Sequence, residues 1–134
     1  MKIIVDSSVI IDFIRVGVGY LPDLQFAAKV GNVKLILPTV VVLELWSGKS
    51  MNFVKNKNRV DLIFSSMERI NLTEAIAKRA GDLIRAGDIH SGFDSVIAAS
   101  ALELDAWLAT GNRRHFSRVK GLKLFDSGEG VGSY

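Results

Sequence analysis

Apolar positions follow two periods along this chain, and short β-type runs alternate with helical patterns. Lys2 to Val5 reads as a first strand, rich in Ile and Val and closed by the turn signal Asp6-Ser7-Ser8. Ser7 or Ser8 can cap a helix running to about Arg15, before Gly17 and Gly19 stop it. Pro22 suits the start of a second helix that ends at Gly31, and Val33 to Leu37 is a second strand terminated by Pro38. Thr39 then caps the Val40 to Ser47 segment, whose three successive valines weaken a helical reading. Phe53 to Met67 is helical and Glu68 to Leu72 a short strand. Thr73 caps the clearest helix, with Glu74 just inside, Arg85 near its end and Gly87 beyond it. Asp94 to Leu104 is a further helix, with Ser91 as a competing cap. Ala106 to Ala109 and Leu122 to Phe125 are the last strands, and Gly128 to Tyr134 reads as a frayed tail.

Strands separated by helices imply a central parallel sheet with helices on both faces, an α/β fold. No repeat, low-complexity segment or boundary interrupts the pattern, so residues 1–134 are expected to form one domain. Sheets of this class place ligands at the carboxyl ends of their strands. Asp6 falls at the end of the first strand, and Asn112 just past the Ala106 to Ala109 strand. Asp94 opens a helix in line with Ile97, Ala98 and Ala101; Glu44 shares a helical face with Val40 and Val41. All four can converge on one cleft.

The acids carry the chemistry because of where they sit. Asp6, Glu44 and Asp94 each interrupt or open a segment that otherwise wants burial, and a buried unpaired charge costs several kcal/mol. Clustered carboxylates also repel one another, and in isolation at least one takes up a proton. A hard divalent cation, Mg²⁺ or Mn²⁺, reverses both penalties, and it can polarise a phosphodiester and activate water. Taken singly, each residue has a plainer role. Asp6, Asp94 and Asn112 suit helix caps, Ser8 suits a cap as well as a hydroxyl orienting the site, and Glu44 suits an ion pair with a nearby Arg or Lys. Asp12 falls on a different helical face from Asp6 and reads as a surface charge; Asp88 suits the rim of the site or a loop. His90 and His115 lack the spacing of zinc ligands, and Trp46 and Trp107 suit core or interface positions.

Composition narrows the classes. With 49% apolar residues the chain is not disordered, and with no cysteine it has no disulfides, thiolate zinc site or cysteine nucleophile. Its longest apolar runs fall short of a membrane span and its start lacks a signal-peptide layout, so a cytoplasmic protein is expected. The net charge of +3 is modest, but Arg113, Arg114, His115, Arg118 and Lys120 crowd into one short stretch. Such a cluster fits a phosphate-rich partner, and equally a solvated surface.

Asp6-Ser7-Ser8 after a first strand, Glu44 before Leu45, Asp94 leading into Ile97-Ala98-Ala99-Ser100-Ala101, and Thr110-Gly111-Asn112-Arg113-Arg114-His115-Phe116 together resemble the PIN-domain nucleases. In length and coverage the chain looks most like the VapC toxins of toxin–antitoxin pairs. The resemblance implies a three-layer α/β/α domain with a mostly parallel sheet that cuts RNA endonucleolytically with Mg²⁺ or Mn²⁺. It places Asp6, Glu44 and Asp94 at the metal-binding acid positions and Asn112 at a fourth position that is often Asp. That departure removes a negative charge and weakens any second metal site. Ser8 matches a small hydroxyl residue supporting the site, and Thr110 the residue preceding the fourth position. It also implies a homodimer and a cognate antitoxin that fills the groove by the active site. On this reading Arg113, Arg114, Arg118 and Lys120 would hold flanking RNA phosphates. A silent PIN-fold module that binds RNA or protein is the alternative. A haloacid-dehalogenase-like phosphatase needs a second Asp where Ser8 stands, and a receiver domain needs an acid pair near the first strand.

Overall fold

A computed structural model describes residues 1–17, 19–90 and 92–126. Ser91 and the Gly128 to Tyr134 tail, for which the sequence suggested a cap and a frayed end, lie outside these residues. The described chain runs β1 (Lys2–Val5), α1 (Ser7–Val16), α2 (Leu21–Lys29), β2 (Lys34–Pro38), α3 (Thr39–Trp46), a 3₁₀ turn (Lys49–Asn52) and α4 (Val54–Phe64). It continues with β3 (Glu68–Ile70), α5 (Glu74–Arg85), α6 (Gly92–Glu103), β4 (Trp107–Ala109), α7 (Arg113–Phe116) and β5 (Lys123–Leu124). The five strands form one all-parallel sheet in the order β3-β2-β1-β4-β5.

That order follows from burial. Ile3, Ile4 and Val5 are wholly buried, as a strand covered on both faces requires, and each such side chain contributes about 1.5–3 kcal/mol. β1 is therefore the sheet's centre, pairing Ile4 with Ile36 of β2 on one side and with Leu108 of β4 on the other. By the right-handed rule for crossovers between parallel strands, the connections from β1 to β2 to β3 and the return to β4 cover opposite faces of the sheet. α2 packs on β2, and α6 packs on β1 and β4 through the small residues Ala98, Ala99 and Ala101, all buried. The strand order reverses between β1 and β4, so a crevice opens at their carboxyl ends. The expected three-layer α/β/α architecture is the one observed.

The local differences have local causes. Asp6, not Ser7 or Ser8, caps α1, accepting the Ser7 N–H at 2.9 Å. The Val40 to Ser47 segment is helical despite its valines, but Thr39 is its first residue and the cap position is Pro38, with no side-chain capping bond. The helix expected over Phe53 to Met67 is observed as the shorter α4, Val54–Phe64, and a 3₁₀ turn over Lys49–Asn52 precedes it. Phe53 takes an extended backbone (φ −105°, ψ 126°) between them, and the Ser65 and Ser66 hydroxyls donate back to Leu62 and Ile63 carbonyls at the far end. Thr73 caps α5 as expected, accepting the Ile76 N–H at 3.2 Å.

Candidate active site

The register of the sheet builds the site. Val5 lies opposite Ala109, so the next residues, Asp6 and Thr110, leave the carboxyl ends of β1 and β4 side by side. The Asp6 N–H donates to the Ala109 carbonyl at 3.0 Å and prolongs the ladder by one bond. Asp6 is only 2% exposed, yet its carboxylate is well supplied with donors. Oδ1 accepts the Ser7 N–H; Oδ2 accepts the Ser8 hydroxyl at 2.8 Å and the Thr110 hydroxyl at 2.7 Å. A carboxylate offers about four acceptor positions, so roughly one remains, and it lies on Oδ1.

Both hydroxyls in turn organise the loop after β4. Ser8 Oγ accepts the Gly111 N–H at 2.8 Å, and Thr110 Oγ1 accepts the Asn112 N–H at 3.0 Å. A Cβ at Gly111 would sit 3.0 Å from Asp12 Oδ2 and 3.4 Å from Ser8 Oγ, so the exposed Asp12 side chain would have to give by a few tenths of an ångström. Asp12 is exposed, as its helical position suggested, but it closes on this loop, one turn along α1 from Ser8. The Tyr20 hydroxyl donates to the Thr110 carbonyl at 3.4 Å while its ring packs against Phe125. Burial holds the Tyr20 phenol far above its ordinary value, so it stays a neutral donor.

The other two acids face Asp6 from different helices. Glu44 comes from α3 and Asp94 from the first turn of α6, and these helices pack together. Burial lifts the Glu44 carboxyl to about 7, the Asp6 and Asp94 charges push the same way, and the Ser7 hydroxyl opposes them. Asp94 is also raised, by burial and then by Asp6, while His115 opposes the rise with Nδ1 at 3.2 Å from Asp94 Oδ2. The ion pair weighed for Glu44 is not formed with any described lysine or arginine; its Oε1 is buried with no hydrogen-bond partner. Asp94 lies inside its helix, not at the cap. Asn112 occupies the cap position of α7, but its side chain makes no capping bond and is exposed.

These observations test the site against a hard cation. An orphaned buried carboxylate oxygen, a spare acceptor position on Asp6 and carboxylates raised by one another fit a divalent ion with oxygen ligands. The side chains as they lie are spread: among the described residues, no three acids or histidines stand close enough together to hold one ion.

The family model for the PIN domain matches residues 3–122, which span every acid described above. The chain belongs to the PIN domain family. Its fold is shared with VapBC2 from Rickettsia felis, solved bound to a DNA fragment from their promoter, at 26% identity and a TM-score of 0.77 over 93% of this chain and 98% of that one. VapBC-1 from nontypeable Haemophilus influenzae matches at 22% identity and a TM-score of 0.76, covering 94% and 98% of the two chains. DNA-bound VapBC from Salmonella typhimurium matches at 19% identity and 0.77, with the same coverage of 94% and 98%. A comparison with curated proteins finds no match.

Within this PIN domain the basic stretch divides by position. Arg113, though exposed, donates to the Phe125 carbonyl at 3.1 Å and fastens the chain after β5. Arg114 and Arg118 line a cavity of about 310 Å³ that also meets Asp94, His115, Asp88 and His90, while exposed Lys120 lies outside it. Asp88 and His90 thus border the crevice. Tyr20, Arg113's bond to Phe125 and the Asp12–Gly111 approach were not visible in the sequence. Each depends on segments that meet only in the folded chain, and no local pattern marks them.

Proposed function

We propose that this PIN domain is an endoribonuclease that hydrolyses RNA phosphodiesters with Mg²⁺ or Mn²⁺, acting as the toxin of a toxin–antitoxin pair. The observation that carries this reading is the buried, partnerless Glu44 Oε1 beside Asp6 and Asp94 at the sheet's switch point. Asp6, Glu44 and Asp94 would hold the ion, with Asn112 at the loop edge as a neutral oxygen donor. The ion, when bound, would offset most of the charge of the three carboxylates and would polarise the phosphodiester. Ser8 and Thr110 fix the Asp6 carboxylate in one orientation, leaving Oδ1 able to take a further partner. His115 holds Asp94 from the solvent side. Arg114 and Arg118 stand where backbone phosphates would pass, and exposed Lys120 can extend that track.

The partner proposals have the same basis. The solved neighbours are VapBC pairs, which supports a cognate antitoxin, and a homodimer is proposed from the family resemblance. No described helix is long and apolar enough to cross a membrane, which agrees with a cytoplasmic site of action. Neutral Asn112 favours one other reading, a silent module that binds RNA without cutting it. Purified protein incubated with a structured RNA pool and Mg²⁺, Mn²⁺ or EDTA, beside Asp94→Asn, separates the two. Metal-dependent cutting that is lost in the variant is expected. Intact RNA with well-folded protein in every condition would refute the nuclease.

A further inference from the structure

We propose that the cavity of about 310 Å³ between the end of α5 and α7 is a guanine subsite, seating the nucleotide beside the bond that is cut. This rests on the nuclease reading and adds base selectivity to it. The cavity is at the small end of the range for ligand sites, about 300–1,000 Å³.

Asp88 is the side chain that decides it. Its backbone is locked where α5 ends: Gly87 takes φ +78°, its N–H donates to the Ile84 carbonyl, and the Asp88 N–H reaches back to the Leu83 carbonyl, both at 3.0 Å. Ile89, buried, pins the next residue. The Asp88 carboxylate is half-buried in the cavity wall and makes no hydrogen bond or ion pair with any described residue. Arg114 and Arg118 line the same cavity, and neither pairs with a described carboxylate. Opposite charges therefore share one cavity without joining across it.

A bare phosphate would suit the two guanidiniums but would be repelled by Asp88. A nucleotide satisfies both ends, with its phosphate toward the arginines and its base toward the carboxylate. Unpaired bases are read on their Watson–Crick edges and stacked on imidazole or guanidinium planes, and His90 and His115 supply such planes here. Of the four bases only guanine offers two adjacent donors, N1–H and the N2 amino group, to the fork of a carboxylate. Adenine and cytosine set a single donor beside an acceptor, and uracil sets one donor between two carbonyls. Because the cavity reaches Asp94, the seated guanosine would adjoin the phosphate at the acid cluster.

The test compares four single-stranded RNAs that differ only at one central base in an otherwise all-uridine strand. Binding is followed by fluorescence anisotropy in EDTA, and cleavage with Mn²⁺. Wild-type protein should favour the guanine strand roughly five- to a hundredfold, the range for a good bidentate base contact. Asp88→Asn should erase that preference while still binding the all-uridine strand, and Asp88→Ser should do the same if the Asn variant fails to fold. Arg114→Gln should weaken all four strands alike and shallow the salt dependence. Equal binding of the four strands by the wild type, or a guanine preference that survives in both Asp88 variants, overturns the subsite. RNA that is cut without base preference would do so while leaving the nuclease standing; RNA neither bound nor cut would end both.

Discussion

Replacing Glu44 with glutamine should make the metal-free protein more stable, not less. Glu44 titrates near 7 in the fold against an ordinary 4.5, because it is buried and faces Asp6 and Asp94. The fold therefore favours the protonated acid. The stability this contributes is complete below pH 4.5 and is lost as pH rises through about 7, where the folded protein must accept the charge. At about 1.36 kcal/mol per pH unit, the displacement from 4.5 to about 7 corresponds to about 3 kcal/mol. Solvent reaches part of the side chain, and discounting for that leaves about 1–2 kcal/mol. Glutamine copies the shape of the protonated acid without its titration. In EDTA at pH 8, Glu44→Gln should melt higher than wild type by about 3–10 °C for a domain of this size. At pH 4 the two should melt together. Adding Mg²⁺ or Mn²⁺ at pH 8 should raise the wild type more than the variant, since the ion binds the charged form. Thermal unfolding followed by circular dichroism across pH 4 to 8 measures all three. A variant that melts no higher than wild type at pH 8, with an unchanged pH profile, would refute the argument that burial and the neighbouring acids hold Glu44 toward its protonated form.

Other expectations follow from the same geometry. Asp6→Asn keeps a capping residue on α1, so it should stay folded by circular dichroism while metal-dependent RNA cleavage, read on a gel, is abolished. Thr110→Val removes one of the donors to buried Asp6 Oδ2 and the acceptor for the Asn112 N–H; urea unfolding should show a loss of about 1–3 kcal/mol. Gly111→Ala brings a Cβ to 3.0 Å from the exposed Asp12 carboxylate, which must give by a few tenths of an ångström; urea unfolding should show a loss of at most about 1 kcal/mol, recovered by Gly111→Ala/Asp12→Ala in a double-mutant cycle.

Much of this was legible because it was written locally. The β1 run, the acid at its end, the Thr73 cap and the Gly87 stop each depend on neighbours in sequence, and each appeared where the pattern placed it. Glu44 was recognisable from its isolation in an apolar run, and the structure gives it a buried, partnerless oxygen in place of an ion pair. The exceptions depend on distant segments. Asp12 is the exposed charge its helical position suggested, but nothing near it in sequence says that Gly111 will approach. Arg113 looked equivalent to Arg114, and only the path of the chain after β5 gives it the Phe125 carbonyl. The 3₁₀ turn over Lys49–Asn52 had no expectation attached, and the extended Phe53 between it and α4 sets the start of a helix that the periodicity did place.

The pairing of β1 with β4 has a consequence for the time at which the site can exist. Asp6 receives the Thr110 hydroxyl across 104 positions of sequence, and Ser8 receives the Gly111 amide across 103. A nascent chain that has emerged only as far as α6 already carries Asp6, Glu44 and Asp94, but one side of its central strand is unpaired. The carboxylate of Asp6 then lacks the donor that comes from beyond β4. Chains emerge from the N-terminus at about 5–20 residues per second, so the clamp closes only with the final part of the domain. Strand order thus keeps the hydrogen-bonded clamp on Asp6 open in the growing chain until β4 slots in beside β1.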